Sequence, residues 1–274
     1  MAEPSAPPRA VSLVLAAGKG TRMTGYQGNK TLLPLVPGER PFTGERPLIL
    51  EVLENLPPGP KGLVLHHRAE DVRRATAGVP EVTYILQPQP DGTGGAVLAA
   101  RGFLEGVAEE RVLITMGDVP LIRPETYRAL LSGLEGGAAL VVLSFRPREK
   151  ARYGVVETEG GLVTRITEWT CWREYPRERQ EALSLCNAGV YAARRAELLP
   201  ALADLAARPH TVEKLREGRM RAVREYFLTD IVEILGARGF PVVTVTADEE
   251  EVSGVDTPEA LALAQERYGR LRRA

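Results

Sequence analysis

The sequence has little cysteine and no long apolar run, and both absences narrow the possible functions. Cys171 and Cys186 are the two cysteines among 274 residues, and they form no CxxC spacing that would mark a zinc site. Two separate thiols are typical of a reducing compartment and not of a disulfide framework. No run approaches the about 18 consecutive apolar residues of a transmembrane helix. We therefore expect a cytoplasmic protein with no membrane partner.

An excess of charge of one sign is also missing. Lys and Arg total 35, Asp and Glu total 36, and the formal net charge is -1. Such a balance gives no general attraction to nucleic acid or to an anionic membrane surface. No nucleic-acid partner is expected, and a polyanionic ligand would have to be held by local groups.

Two common phosphate-binding motifs are absent from the glycine-rich segment LAAGKGTRM at residues 15–23. The Walker A spacing does not occur, and Met23 stands where the dinucleotide-binding motif needs a small residue. Gly18 and Gly20 still allow successive N–H groups to point in one direction, and Arg22 can neutralise a phosphate. By itself, the loop is as compatible with a plain tight turn as with a phosphate-binding nest.

Short apolar runs alternate with helical patterns through the first half of the chain. Strands are predicted at 11–17, 62–66, 82–86, 111–116 and 139–145, and helices at 47–56, 69–77, 94–107 and 124–134. This alternation predicts an α/β fold with a Rossmann-like mixed, mainly parallel sheet and helices on both faces. Ligands of such sheets bind beyond the carboxyl ends of the strands.

The pattern changes after about residue 150. Gly160 and Gly161 separate two apolar runs, at 155–159 and 162–168, which predicts a β-hairpin. A strand at 187–193, a helix at 194–207, a strand at 241–246 and a helix at 256–272 follow. Asp256 or Thr257 would cap that last helix.

No linker divides the sequence. The Pro- and Ala-rich residues 1–10 are expected to form a disordered tail, and residues 11–274 a single domain. The part at about 150–230 would be a β-rich lid within that domain. Nothing in the sequence sets an oligomeric state.

Eight further short segments follow the glycine-rich loop in a characteristic order. They are NKTLLPL at 29–35, LQPQPDGTGGAV at 86–97, MGDVPL at 116–121, YGVVE at 153–157, ITEW at 166–169, NAGVY at 187–191, EYFLTDI at 225–231 and VSGVDTPEAL at 252–261. Together with the loop, they resemble the sugar-nucleotide pyrophosphorylases, nucleotidyltransferases that join a nucleoside triphosphate to a sugar 1-phosphate. Within that family, the likeness is greatest to the N-acetylglucosamine-1-phosphate uridylyltransferases.

The resemblance implies a role for each matching residue. The nucleotide would be bound by Leu15, Ala16, Ala17, Gly18, Gly20, Arg22, Gln87, Gly92 and Thr93. The catalytic cations would be Arg22, on the triphosphate, and Lys30, near the α-phosphate. The sugar phosphate would be bound by Gly154, Glu168, Asn187 and Thr229, and Asp118 and Asp256 would hold Mg²⁺. UTP and N-acetylglucosamine 1-phosphate are the implied substrates, and residues 150–230 the implied sugar-binding part.

The residue types suit this chemistry independently of the resemblance. Bringing two phosphate-bearing reactants together requires cations and an oxygen-ligated metal, and Mg²⁺ uses one or two carboxylates with phosphate oxygens and water. Asp118 follows a predicted strand and Asp256 precedes a predicted helix, so both could reach the ligand edge of the sheet. Plainer alternatives remain open: Asp118 as a turn residue, and Asp256 as a helix cap.

Several positions depart from the family pattern. Asp256 stands where the uridylyltransferases usually have Asn, Gly95 replaces a His, and Phe227 replaces a sugar-contacting Tyr. The segment WTCWREYPRERQ at 169–180 is also unusual, and its Trp169, Trp172 and Tyr175 could either pack or stack on a sugar. These departures keep open a CTP- or GTP-using enzyme with another acceptor, of the molybdopterin type for example, and a nucleotide-binding protein without turnover.

Overall fold

The computed structural model describes residues 9–216 and 219–273. Most of the predicted N-terminal tail, residues 1–8, lies outside the described residues. Ala10 is fully buried and its N–H donates to the Pro58 carbonyl at 3.1 Å, so the chain is packed from just before the first strand. No helix within the described ranges is long and apolar enough to cross a membrane.

The strands in chain order are β1 (Val11–Ala16), β2 (Pro34–Pro37), β3 (Gly44–Pro47), β4 (Lys61–Leu65), β5 (Val82–Leu86), β6 (Arg111–Met116), β7 (Leu140–Phe145), β8 (Val155–Glu159), β9 (Leu162–Thr167), β10 (Cys186–Arg194), β11 (His210–Arg216), β12 (Arg219–Glu225) and β13 (Val242–Ala247). The helices are α1 (Leu48–Asn55), α2 (Ala69–Thr76), α3 (Gly92–Ala99), α4 (Arg101–Gly106), α5 (Pro124–Ser132), α6 (Trp169–Trp172), α7 (Arg177–Ala182), α8 (Arg195–Ala206), α9 (Asp230–Ala237), α10 (Glu249–Val252) and α11 (Pro258–Leu271), with a 3-10 turn at Lys30–Leu32.

The main sheet has the strand order β13-β7-β10-β6-β1-β4-β5. β1 pairs in parallel with β4 and β6, β5 with β4, and β13 with β7. β10 is antiparallel to both of its neighbours, β6 and β7. The predicted mixed, mainly parallel sheet is therefore confirmed, and the carboxyl ends of β1, β4, β5 and β6 lie at the same edge.

Alternate residues of β1 enter two different cores, because successive side chains of a strand point to opposite faces. Leu13 and Leu15 pack in the core beneath α3, α8 and α9. Val14 and Ala16 pack in the core beneath α1, α2 and α5. Helices on both faces thus bury the whole strand, which explains why it is apolar apart from Ser12.

The hairpin predicted after residue 150 forms as β8 and β9, with Glu159 paired to Leu162. Gly160 and Gly161 connect them at φ values of +57° and +83°. Both values lie in the left-handed region, which glycine enters at little cost. The hairpin joins the main sheet through Val155, which pairs with Cys186 of β10.

Some elements differ from the sequence prediction. The predicted helix at 94–107 is two helices, α3 and α4, that meet at Ala100. The hairpins β2–β3 and β11–β12, and the helices α6, α7, α9 and α10, were not predicted. Most of them are short or rich in charge, so their apolar periodicity is too weak to distinguish them from loops. The exception is α9, whose apolar residues Ile231, Val232, Ile234 and Leu235 are buried and gave a helical signal that the prediction missed.

Candidate active site

A cleft of about 840 Å³ opens beside the carboxyl ends of β1 and β6. Its lining residues are Leu15, Ala17, Gly18, Lys19, Thr21, Gln87, Pro90, Gly92, Thr93, Ala96, Met116, Lys214 and Glu225. Six of the residues predicted to bind nucleotide are therefore together: Leu15, Ala17, Gly18, Gln87, Gly92 and Thr93. The strand ends bring them there from two sequence segments that are separated by about seventy residues.

The glycine-rich loop lies against the stem of Lys30. Gly20 has a φ of +61°, and a Cβ placed there would come within 3.1 Å of the Lys30 Cβ. At Gly18 an added Cβ would lie 3.9 Å from the Lys30 Cε. Glycine at position 20 is thus favoured both by the backbone conformation and by the close approach of the lysine.

Asn29 fixes the start of the 3-10 turn that carries Lys30, and it is a residue that sequence reasoning missed. The Asn29 Oδ1 accepts the Thr31 N–H at 3.0 Å and the Thr31 hydroxyl at 2.8 Å. Its Nδ2 donates to the Ala16 carbonyl at 3.1 Å and to the His67 carbonyl at 2.8 Å. One buried amide therefore joins the ends of β1 and β4 to the lysine turn. Its preference for helix N-caps was the available signal.

Each candidate metal ligand is paired with a candidate phosphate-binding cation. Lys30 Nζ contacts Asp118 Oδ2, and both side chains are mostly buried, at 18% and 11% exposure. Arg22 contacts Asp256 Oδ2, with the arginine largely exposed. Since exposed ion pairs contribute little to stability, the Arg22 pair can separate easily when a ligand arrives.

The two aspartates come from neighbouring backbone segments. The Val255 N–H donates to the Asp118 carbonyl at 2.8 Å, which places the residue preceding Asp256 against Asp118. Thr257, not Asp256, caps α11, because its side chain accepts the Ala260 N–H at 3.2 Å. The Asp256 carboxylate is therefore not occupied in helix capping.

Two carboxylates on hydrogen-bonded backbone segments are a suitable partial ligand set for Mg²⁺. Magnesium prefers carboxylate oxygens and completes its octahedral shell with phosphate oxygens and water. No cluster of three or more His, Cys, Asp or Glu side chains that could hold a metal by itself occurs in the described part of the chain. The donor set of Asp118 and Asp256 fits a metal that arrives with a phosphate ligand.

Gln87 is buried beside the cleft, and its amide has a defined orientation. The Nε2 group donates to Asp91 Oδ1 at 2.7 Å and to the Gly92 carbonyl at 3.2 Å. Both partners are acceptors, so the NH₂ group must face them. No hydrogen bond to Gln87 Oε1 occurs among residues 9–216 and 219–273, which leaves this oxygen as an acceptor for a ligand.

The four residues predicted to bind the sugar phosphate also lie together. Glu168 Oε1 accepts the Thr229 hydroxyl at 3.1 Å, and a Cβ on Gly154 would lie 3.7 Å from Glu168 Oε2. The Asn187 N–H donates to the Gly154 carbonyl at 2.8 Å. Asn187 Nδ2 donates to the Tyr191 hydroxyl at 2.7 Å, which orients the amide.

Glu168→Gln is expected to stabilise the protein more at pH 8 than at pH 4. Burial raises the pKa of the Glu168 carboxyl, partly offset by the Thr229 hydrogen bond. The stabilisation that the protonated carboxyl gives to the folded protein is fully present below the unfolded pKa of about 4.3. It is lost as the pH rises through the higher folded pKa. Urea unfolding of the wild type and the variant at both pH values measures the difference.

Glu157→Gln is the matched control, and its effect should have the opposite sign. Burial raises the pKa of Glu157, but hydrogen bonds from Thr167, Arg179 and Tyr175 outweigh it and lower the pKa overall. Its stabilisation is therefore present above the unfolded pKa and lost as the pH falls through the folded pKa. The same sign for both variants would contradict the assignment.

The aromatic residues of the unusual segment 169–180 have different environments. Trp172 is buried, and its Nε1 donates to the Tyr153 carbonyl at 2.8 Å. Trp169 is partly buried, with the guanidinium groups of Arg152 and Arg173 each 4.7 Å from its ring centroid. Trp172 is thus a packing residue, and Trp169 sits in a cation-π arrangement.

The Tyr175 hydroxyl donates to Glu157 at 3.2 Å, and the Arg179 guanidinium lies 3.8 Å from the Tyr175 ring centroid. His210 stacks on Phe227 at 4.4 Å and pairs with Asp230 at 2.6 Å. The ring of Phe227, where the family has a Tyr, is therefore covered by a histidine.

Comparison with known proteins identifies the class to which this site belongs. The profile of the MobA-like NTP transferase domain matches residues 12–225, which is most of the chain. The chain therefore belongs to the MobA-like NTP transferase family, as a nucleotidyltransferase related to the sugar-nucleotide pyrophosphorylases. The predicted resemblance is confirmed.

Two curated relatives are similar to this chain over most of its length. The bifunctional protein GlmU of Azorhizobium caulinodans is 37% identical over 96% of this chain, and that of Novosphingobium aromaticivorans is 35% identical over 96%. These matches cover 54% and 53% of the respective relatives, so the chain spans about half the length of the curated relatives it matches.

Two solved structures share the fold. The uridine diphosphate N-acetylglucosamine pyrophosphorylase of Trypanosoma brucei superimposes with a TM-score of 0.72 at 16% identity, over 93% of this chain and 64% of its own. CMP:2-keto-3-deoxy-manno-octonic acid synthetase superimposes with a TM-score of 0.63 at 19% identity, over 96% of this chain and 100% of its own. At these identities the likeness concerns the fold alone.

Proposed function

We propose that the protein transfers a uridylyl group from UTP to N-acetylglucosamine 1-phosphate, releasing pyrophosphate, with Mg²⁺ as cofactor. The observation that carries the proposal is the pair of cation–carboxylate contacts, Lys30–Asp118 and Arg22–Asp256, beside the glycine-rich loop. The names of the GlmU relatives and of the pyrophosphorylase support this choice of nucleotide and sugar.

The proposed reaction is a displacement at the α-phosphorus of the triphosphate. An oxygen of the sugar phosphate forms a new bond to that phosphorus, the bond to the bridging oxygen of the β-phosphate breaks, and pyrophosphate leaves. The attacking phosphate is ionised at neutral pH, so no protein base is needed. Positioning and neutralisation of charge provide most of the rate enhancement.

Lys30 and Arg22 are the catalytic cations of the proposal. The ammonium of Lys30 approaches the α-phosphate between the two reactants, while the exposed Arg22 guanidinium holds the triphosphate with two parallel donors. Asp118 and Asp256 would hold Mg²⁺, which supplies positive charge to phosphate oxygens when it is bound. The two cations thereby exchange carboxylate partners for phosphate partners.

The nucleoside would lie along Leu15, Ala16, Ala17 and Gly18, with the Gly92–Thr93 segment against the base. Gln87 contributes its free oxygen, which accepts a hydrogen bond from a ring N–H of the base. Uracil, thymine and guanine have such an N–H, whereas cytosine and adenine have a ring acceptor at the corresponding edge. A base that pairs with this oxygen through a ring N–H would be uracil, thymine or guanine, whereas cytosine and adenine would have to use their exocyclic amino group.

The sugar phosphate would occupy the group formed by Gly154, Glu168, Asn187 and Thr229. The Glu168 carboxylate would accept hydrogen bonds from sugar hydroxyls. Asn187 would offer the second N–H of its Nδ2, because its Oδ1 already accepts the Gly189 N–H at 3.0 Å. Buried polar groups that pair with particular hydroxyls give strong selection against sugars that lack them.

Pyrophosphate release tests the proposal directly. The protein is incubated with Mg²⁺, one of UTP, dTTP, GTP, CTP or ATP, and one of several sugar 1-phosphates. Release is expected with UTP and N-acetylglucosamine 1-phosphate, and EDTA should abolish it. Turnover with CTP or GTP and a different phosphorylated acceptor, such as a molybdopterin, would replace the proposed substrates. Nucleotide binding without pyrophosphate from any pair would contradict the enzymatic proposal.

A further inference from the structure

The β11–β12 hairpin stands beside the cleft as a two-stranded sheet of its own. Tyr226, directly after β12, connects it to the segment that opens α3. The Tyr226 N–H donates to the Asp91 carbonyl at 2.8 Å, and the Tyr226 carbonyl accepts the Gly94 N–H at 2.9 Å. At Gly92, a Cβ would come within 2.5 Å of the Tyr226 carbonyl oxygen. The base of the hairpin is therefore fixed against the predicted nucleobase segment.

Two charged side chains of the hairpin line the cleft, Lys214 from β11 and Glu225 from β12. The antiparallel register puts them on the same face of the hairpin, together with Val212 and Val223. Their side chains form an ion pair in which Glu225 is 8% exposed and Lys214 is 48% exposed. The carboxylate is thus buried, whereas the lysine is open to the cleft.

The Lys214 ammonium has donors to spare. A lysine ammonium carries three N–H donors, and Glu225 accepts from one of them. No second hydrogen bond from Lys214 Nζ occurs within residues 9–216 and 219–273. Because a buried carboxylate is strongly destabilised when its cation leaves, Glu225 holds the ammonium in place at the cleft.

We propose that Lys214 binds the phosphate chain of the nucleotide and that Glu225 is the residue that positions its ammonium. The inference rests on the proposed function, since it takes the occupant of this cleft to be a nucleoside triphosphate. Gly18, Lys19 and Thr21 of the glycine-rich loop line the same cleft. A polyphosphate held by that loop would lie in the same open cleft as the spare donors of Lys214, and charge-assisted hydrogen bonds to it would be strong.

The decisive test is the double variant Lys214→Met, Glu225→Gln, with affinity for UTP and Mg²⁺ measured by calorimetry on the full chain. The double variant keeps the net charge of the wild type and leaves no unpaired buried carboxylate to repel the nucleotide. UTP affinity should fall about tenfold, as expected for the loss of one charged hydrogen-bonding group. The affinity for uridine, measured by competition, should not change.

A second pair of variants separates contact from general electrostatics. Lys214→Met and Arg224→Ala each remove one positive charge from the hairpin, but Arg224 is exposed and lies on the opposite face of β12. The first should weaken UTP binding at least about tenfold, and the second by less than about twofold.

Four results would overturn the inference, the last of them together with the proposed function. Wild-type UTP affinity in the double variant would mean that Lys214 only neutralises Glu225. Equal losses for UTP and uridine would place the lysine at the base and not at the phosphates. Equal losses of UTP affinity in Lys214→Met and Arg224→Ala would mean that Lys214 acts only through the general positive charge of the hairpin. A wild type that binds no nucleoside triphosphate would instead contradict the proposed function, and this inference with it. A thermal melt of each variant confirms that it is folded.

Discussion

Asp118→Asn is expected to lower kcat for pyrophosphate release by about 1,000-fold or more. The substitution keeps the shape of the side chain and the backbone carbonyl that accepts the Val255 N–H. It removes the charge that holds Lys30 and that would bind Mg²⁺ together with Asp256. Rates of pyrophosphate release are compared at saturating UTP over a range of Mg²⁺ concentrations.

The matched control for Asp118→Asn is Asp248→Asn. Asp248 is 81% exposed and contacts Arg123 at 3.4 Å on the surface. This change should leave kcat within about twofold of the wild type, since exposed ion pairs contribute little. A kcat for Asp118→Asn within about tenfold of the wild type would contradict the metal-binding role.

Asn29→Ala is expected to lower both the stability and the activity of the protein. The substitution removes four hydrogen bonds and leaves the buried Ala16 carbonyl and the part-buried His67 carbonyl without this partner. The free energy of unfolding should fall by about 3 kcal/mol. Because the Lys30 turn loses its cap, kcat should fall by about 100-fold at a temperature where the variant is folded. Urea unfolding and pyrophosphate release measure the two effects.

Two further variants show which of the Asn29 contacts matter. Asn29→Asp keeps an acceptor for Thr31 but loses both donors, so it should remain strongly destabilised. Asn55→Ala is the matched control, because within the described part of the chain Asn55 Nδ2 makes a single hydrogen bond, to the Ile122 carbonyl at 3.2 Å. Its cost should be about 1 kcal/mol, without a loss of kcat. Equal stability losses in Asn29→Ala and Asn55→Ala would show that Asn29 has no special role.

The two candidate metal-binding carboxylates show what could and could not be predicted from the local sequence. The positions of Asp118 after a strand and Asp256 before a helix could be predicted from apolar periodicity and from Pro258 at the start of α11. Their adjacency could not, because it depends on the hydrogen bond between Val255 and the Asp118 carbonyl across more than a hundred residues. Capping by Thr257 was one of two alternatives, and the backbone conformation decided between them.

The direction of β10 is a second property that could not be predicted from the sequence. Its apolar run was predicted as a strand, but a run of this kind is equally compatible with parallel and antiparallel pairing. Which applies depends on how the preceding β8–β9 hairpin returns the chain to the sheet, and the structure places β10 antiparallel between β6 and β7. That placement also brings Asn187, at its start, to Gly154.

By itself, the sequence determined the α/β class, the buried β1 and the order of short segments that marks the family. These properties depend on local patterns: apolar runs, helical spacing, and glycines where the chain turns. Only the tertiary structure decided that Asn29 supports Lys30, that Asp91 orients Gln87, and that Lys214 and Glu225 enter the cleft. The Asn29 bonds to the Ala16 and His67 carbonyls and the Lys214–Glu225 ion pair join different elements, so they exist only after the chain has packed. The Gln87–Asp91 bond spans four residues, and the conformation of the loop between them decides it.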